Sequence, residues 1–212
     1  MTSSTLTVPY RQIRAHYNDT TVTVYQAYKS SIAKAAVDAQ KLNASPDFKP
    51  GRMTWIKPSW SWMMYRAGYS FKDPGQSHIL ALRMKHEHFI ALLEQGVLSS
   101  HAQKPQAGEK REKSSDVRIQ WDPERTPKLE TLPYRSIQIG IPGALSGQWA
   151  NEWIVEIEDV TDKARELKRV IDERPDVTDE ELLNLGLIFD ERPFEVPESV
   201  HIKLEMTTAS GS

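Results

Sequence analysis

Cysteine is absent from the 212 residues. That excludes disulfides, a disulfide-linked partner, thiolate metal sites and a cysteine nucleophile. No run approaches the roughly 18 apolar residues of a membrane span, and the opening MTSSTLTVPYRQIRAHY lacks the apolar core of a secretion signal. A cytoplasmic address with no membrane partner is the expectation. The motifs G-x-x-x-x-G-K-[ST], G-x-G-x-x-G and G-x-S-x-G are also missing. Nucleotide-binding P-loop, dinucleotide-binding and α/β-hydrolase readings lose their main support.

What is present has an ordinary globular balance, with 39% hydrophobic and 26% charged residues. The length suits one domain with a sizeable core. The net charge of −2 hides a polarity. Residues 1–70 carry +6, residues 71–150 carry +2 and residues 151–212 carry −10. Such a gradient either steers an anionic partner to one face or reflects a solvated acidic segment.

The apolar pattern predicts short strands over 11–17 and 21–28, joined by the polar turn NDTT. A helix follows from Ser30 or Ser31, with Ile32, Ala35, Ala36 and Ala39 at helical spacing. RMTWIK reads as a strand stopped by Pro58. Ser59 then caps a helix that ends at Gly68. Residues 78–85 read as a core strand and 87–98 as an amphipathic helix. Strands are expected again over 117–121 and 134–141, with DPER as a turn after the first. From Gly143, the residues Trp149, Trp153, Ile154, Ile157 and Val160 suggest a helix. Further helices start at Thr161 and at the capping box Thr178–Glu181. The expected class is α+β, with a mixed or antiparallel sheet of about five or six strands, flanking helices and a helical C-terminal third. A single domain spans 1–212, with a mobile loop at about 99–115 and a disordered tail at about 207–212.

The densest chemistry lies in RMTWIKPSWSWMMYR, residues 52–66. Trp60, Met63 and Met64 have the spacing of a helix core. Arg52, Lys57 and Arg66 are the cations that such a core would hold in place. A lysine in an apolar strand is costly to bury without a partner. Placed just before a helix start, Lys57 and Ser59 suit a phosphate. In QWDPER, Asp122 and Glu124 are candidates for a general base, beside Arg125. Tyr134, Ser136 and Gln138 share one face of their strand, and Arg135 stands among isoleucines. Arg14, Tyr25 and Gln26 are polar residues fit to line a nucleotide cleft, although the tyrosines suit a core equally well. His86-Glu-His88 resembles a metal pair that His78 could complete, but no cysteine or clean third-ligand motif supports it, so the pair reads as polar residues at a helix start and no metal site is assigned.

The runs IRAHYNDTTVTVYQAY, RMTWIKPSWSWMMYRAGY, VRIQWDPER, LPYRSIQIGI and EWIVEIEDVT resemble the domain-of-unknown-function family numbered 4291, over residues 10 to about 170. The resemblance implies that Arg14, Tyr25, Gln26, Tyr28, Arg52, Lys57, Arg66, Trp121, Asp122, Glu124, Arg125, Arg135 and Gln138 are pattern positions. It departs at Ser77, where the family usually carries an acid. Residues so rich in arginine, lysine and aromatics suit a nucleotide or RNA substrate. The expectation is nucleotidyl or phosphoryl transfer in the manner of an RNA ligase, with Lys57 as nucleophile or charge clamp. RNA ligases usually follow their lysine with an acidic or polar residue and then glycine, whereas here KPS follows. Two alternatives stand beside it. One is an ADP-ribosyltransferase-like enzyme in which Arg14 or Tyr25 and Ser59 hold NAD and Gln138 or Glu124 acts. The other is a non-catalytic RNA-binding module. The sequence names no cofactor; a nucleotide (ATP, GTP or NAD) and Mg2+ are compatible with these readings.

Overall fold

The computed structural model describes residues 8–100 and 115–208. The elements run β1 (Arg14–Ala15), β2 (Thr21–Tyr28), α1 (Ser30–Ala39), β3 (Thr54–Ile56), α2 (Trp60–Ala67), β4 (His78–Lys85), α3 (His86–Glu94) and β5 (Gly96–Leu98). They continue with β6 (Val117–Arg125), β7 (Thr131–Ile141), α4 (Gly143–Gln148), β8 (Ile154–Asp159), α5 (Thr161–Glu173), α6 (Asp179–Asn184), β9 (Arg192–Pro193) and α7 (Glu198–Lys203). The class is α+β. The strands number nine among the described residues and form three sheets rather than one of five or six.

The first sheet is antiparallel, in the order β2-β4-β8. The second has the order β3-β7-β6-β5, antiparallel except where β5 runs parallel to β6. A small pair, β1 with β9, ties the N-terminal segment to the C-terminal one. A backbone bridge links the two larger sheets at Tyr25 and Lys57. Tyr25 N donates to Lys57 O (2.7 Å) and Lys57 N donates back to Tyr25 O (3.3 Å). That exchange ends β3 against β2 and holds the backbone at Lys57.

Several expectations are corrected. The segment 11–17 forms a strand only at Arg14–Ala15. Asp122–Arg125 is no turn. β6 runs on through it to Arg125, with its register shifted between Pro123 and Arg125. Proline cannot donate to a ladder, and a bulge is where a strand tolerates it. The turn falls later, where Thr126 N donates to Glu130 O (2.9 Å). The helix expected over 87–98 stops at Glu94, and Gly96–Leu98 pairs with β6 instead. Ile154–Asp159 is a strand, not helix. Its β-branched Ile154, Val155 and Ile157 suit a pleated surface, and the free edge of β4 needs backbone partners. The last third holds α5, α6 and α7 but also β8, β9 and non-helical chain over 185–197, so it is not a helical third. Most of the expected loop 99–115 and the tail beyond Thr208 lie outside the described residues. Thr207 itself is held, since its N donates to Arg11 O (2.8 Å) and its Oγ1 accepts from Arg11 N (3.0 Å).

The core has two parts. In the larger, Val22, Val24, Leu80 and Leu82 pack with Ile119, Ile137, Ile139 and Trp149. In the smaller, Trp60, Met63 and Met64 of α2 pack with Tyr25, Ile79, Ala164 and Leu167. The i, i+3, i+4 stripe of α2 is therefore core, as its spacing predicts. Ser59 Oγ accepts from Trp62 N (3.0 Å) and caps the helix.

The first residue of α4 sits against the loop leading into β3. A Cβ on Gly143 would lie 2.3 Å from Gly51 O, a backbone atom that cannot swing aside. Gly143→Ala should therefore cost about 1–3 kcal/mol, as overpacking does. Thermal unfolding of the variant should show a melting point lowered by several degrees.

Candidate functional site

Alternation on three adjacent strands builds the floor of a cleft of about 720 Å³. Trp55 and Lys57 alternate at the end of β3. Gln138 lies on β7, and Gln120 lies opposite it on β6. Gln26, Tyr28 and Lys29 form one wall, residues 47–49 and Arg52 another, and Met63 and Arg66 of α2 a third. Gln26 is fully used in holding the strands together. Its Nε2 donates to Thr54 Oγ1 (2.6 Å) and Trp55 O (2.9 Å), and its Oε1 accepts from Tyr28 Oη (2.7 Å).

The cleft is basic. Lys29 is answered by Asp47 at 2.8 Å. Lys49, Arg52, Arg66 and Lys57 make no ion pair with any described residue. Arg52 and Arg66 are exposed at the rim, whereas Lys57 is only 5% exposed. Its ammonium lies 4.5 Å above the Trp62 ring. Burial pushes the Lys57 amine down to about 7, the charge of Arg66 adds to this, and Asp122 pulls the other way. Asp122 does not touch Lys57 closely enough for an ion pair. Burial raises its own carboxyl against the pull of Lys57 and Arg135. It accepts from Gln138 Nε2 at 3.3 Å.

A family model for a domain of unknown function, DUF4291, matches residues 12–194, which takes in every cleft residue. The chain belongs to the DUF4291 family. No curated protein matches it.

The DUF4291 chain carries a second cavity, of about 430 Å³, on the other side of the 57–60 segment. Arg14, Trp60, Glu124, Arg125, Tyr134, Phe189 and Glu191 are among its walls. Glu124 Oε1 accepts from Ser59 Oγ (2.8 Å) and from Arg125 N (2.8 Å). Glu191 Oε1 accepts from Trp60 N (2.6 Å), at the positive end of α2. Arg14 donates to Gln12 Oε1 (3.2 Å) and Glu191 O (2.7 Å) rather than to a carboxylate. Burial raises the Glu124 carboxyl, against the hydrogen bonds of Arg125, Ser59 and Ser136 and the charge of Arg14. Burial also raises Glu191 well above its ordinary value, and the charge of Glu124 adds to it. The charge of Glu124 thus favours the protonated form of Glu191.

The candidate residues thus separate. Lys57, Arg52, Arg66, Gln26 and Gln138 share the basic cleft. Arg14, Ser59, Glu124 and Arg125 gather at the acidic cavity, and Asp122 stands between the groups on β6. Tyr25 is fully buried in the core, ringed by Trp60 and Phe189. Arg135 belongs to neither site. Its Nε donates to Tyr10 Oη (2.8 Å). Sequence reasoning did not single out Gln120 or Glu191. Alternation with Asp122 places Gln120 on the polar face of β6, so that signal was available. Glu191 follows no local pattern and reaches Trp60 only through the fold.

Two pH dependences follow. Lys57 titrates lower folded than unfolded, so its cost to stability is greatest at and below about pH 7 and fades toward the ordinary lysine range. Lys57→Met should stabilise the protein most at pH 6 and progressively less up to pH 10, as denaturant titrations at each pH will show. Glu191 titrates higher folded than unfolded, so its favourable contribution is lost as pH rises above the ordinary carboxyl range. Glu191→Gln keeps an acceptor for Trp60 N. Its melting point relative to the parent should rise between pH 4 and pH 8.

Proposed function

We propose that the basic cleft binds the phosphates of a nucleotide or of RNA and that the protein is a transferase or ligase acting on that substrate. The observation that carries this reading is Lys57. It is a buried amine at the foot of a cleft, with no ion pair among the described residues and a titration point brought down to about 7. At neutral pH such an amine is far more readily uncharged, and so able to attack, than an ordinary lysine, and its charged form is a desolvated cation facing the cleft. In the covalent form of the reaction, Lys57 Nζ attacks the α-phosphorus of ATP or GTP. A P–N bond forms, the P–O bond to pyrophosphate breaks, and the amine proton passes to solvent. In the electrostatic form, Lys57 holds charge that develops on the transferred phosphoryl oxygens. Arg52 and Arg66, which make no ion pair among the described residues, support both forms as phosphate partners. Among the described residues no group of three His, Asp or Glu could hold a metal. Mg2+ in this reading arrives on the substrate phosphates.

A second reading draws support from the other cavity. Arg14, Ser59 and Glu124, named for an NAD-using ADP-ribosyltransferase-like enzyme, converge there through the Ser59–Glu124 hydrogen bond. Tyr25 and Gln138, named with them, lie elsewhere. That reading calls for nicotinamide release from NAD that depends on Glu124.

Incubation with ATP or GTP and Mg2+, followed by intact-mass measurement, separates the readings. The expected result is a gain of one nucleoside monophosphate that Lys57→Ala abolishes. Arg52→Ala and Arg66→Ala should each weaken nucleotide binding by about tenfold, in a salt-dependent manner. RNA binding with neither adduct nor product would instead indicate a binding module. Absence of nucleotide and RNA binding at low salt would end the phosphate reading.

A further inference from the structure

The cleft floor holds a pair of amides whose orientation is dictated from one side. Gln120 and Gln138 face one another across β6 and β7. Gln138 Nε2 donates both to Gln120 Oε1 (2.9 Å) and to Asp122 Oδ2 (3.3 Å). A carboxylate only accepts, so Asp122 makes Gln138 turn its nitrogen inward. That nitrogen in turn makes Gln120 turn its oxygen inward. Gln138 Oε1 and Gln120 Nε2 are left over, with no partner among the described residues, on side chains that line the cleft. The floor therefore presents one fixed acceptor beside one fixed donor.

Next to this pair lies a flat apolar surface. Trp55 is the ladder partner of Gly140, two residues along β7 from Gln138. The indole covers Gly140 so closely that a Cβ there would lie 2.9 Å from the ring. Trp55 also lines the cleft. Phosphate offers acceptors alone, and a lysine or arginine answers it. A donor next to an acceptor, beside an aromatic face, matches the edge and the π-surface of a nucleobase instead.

We infer that the cleft reads the base of its nucleotide: Gln120 and Gln138 bond a donor–acceptor edge, Trp55 stacks on the ring, and Asp122 is the positioning residue that fixes which amide donates. This rests on the phosphate reading of the same cleft and names what that reading leaves open, namely selectivity among bases. Asp122 acts through Gln138 and need not touch the ligand.

The test is calorimetric titration of the full chain with ATP, GTP, CTP, UTP and inorganic tripolyphosphate. The tightest nucleotide should bind at least about tenfold more strongly than tripolyphosphate, since stacking alone contributes about 1–3 kcal/mol per base. Trp55→Leu should remove most of that margin without weakening tripolyphosphate. Asp122→Asn replaces an obligate acceptor by an amide that can donate or accept. It should compress the spread between the tightest and weakest nucleotide to about threefold or less, as expected when one hydrogen bond's worth of discrimination is lost, again with tripolyphosphate not weakened. Gln120→Leu should act in the same direction and is a second variant should Asp122→Asn unfold. Equal binding of all four nucleotides and tripolyphosphate would overturn base reading while leaving the phosphate site intact. Retention of the full spread in both Asp122→Asn and Gln120→Leu would overturn the role given to the amide pair. Failure of tripolyphosphate and every nucleotide to bind would overturn both readings together.

Discussion

The two-way backbone exchange between Tyr25 and Lys57 is the constraint on which the rest depends. It bridges the backbone of the sheet built on β2 to that of the sheet built on β7, beside the Gln26 bonds to Thr54 and Trp55. The chain cannot satisfy these buried backbone groups elsewhere without opening the seam between the sheets. Lys57 is therefore held at the seam by its main chain, and its side chain follows from strand alternation with Trp55. That side chain enters the cleft as a buried amine with no ion pair among the described residues. Desolvation, not a neighbouring charge, is then the main reason that it titrates low. The cost is tolerated because the backbone leaves the amine no other place to go.

Immediately after the seam, the chain turns into α2 and divides two environments. Lys57 faces the basic cleft, and Ser59, two residues on, binds Glu124 on the acidic side. One face of the β6–β7 ladder runs beneath both. It carries Gln120 and Gln138 under the cleft, then the pair Asp122 and Ser136, then Glu124 at the second cavity. The opposite face of the same ladder is the apolar core of Ile119, Ile137 and Ile139. A single alternation thus separates packing from chemistry. The bulge at Pro123 lets the polar row continue past a residue that cannot donate.

Local signals made the α+β class legible, along with β2, α1, α2, β4 and the capping box at Thr178. Each rests on neighbours in sequence: alternation, helical spacing, or a cap followed by its glutamate. The grouping of Lys57 with Arg52 and Arg66 was legible because all three lie in the one stretch 52–66 that leads into and through α2. What could not be read locally depends on partners distant in sequence. Ile154–Asp159 has apolar spacing that fits a helix, and the open edge of β4 made it a strand. DPER has the composition of a turn, and pairing with β7 drew it into β6. The division of Arg14, Ser59 and Glu124 from Gln26 and Gln138 required three sheets to be placed, and Glu191 entered the site from a segment with no pattern of its own.

The central claim is the state of one amine, so the most direct measurement observes it. NMR titration of the Lys57 side chain, assigned by comparison with Lys57→Met, reports its protonation without reference to any substrate. A midpoint near 7 is expected, moving upward when tripolyphosphate fills the cleft, because a bound anion favours the charged form. An ordinary lysine midpoint of about 10.4, unmoved by tripolyphosphate, would contradict it.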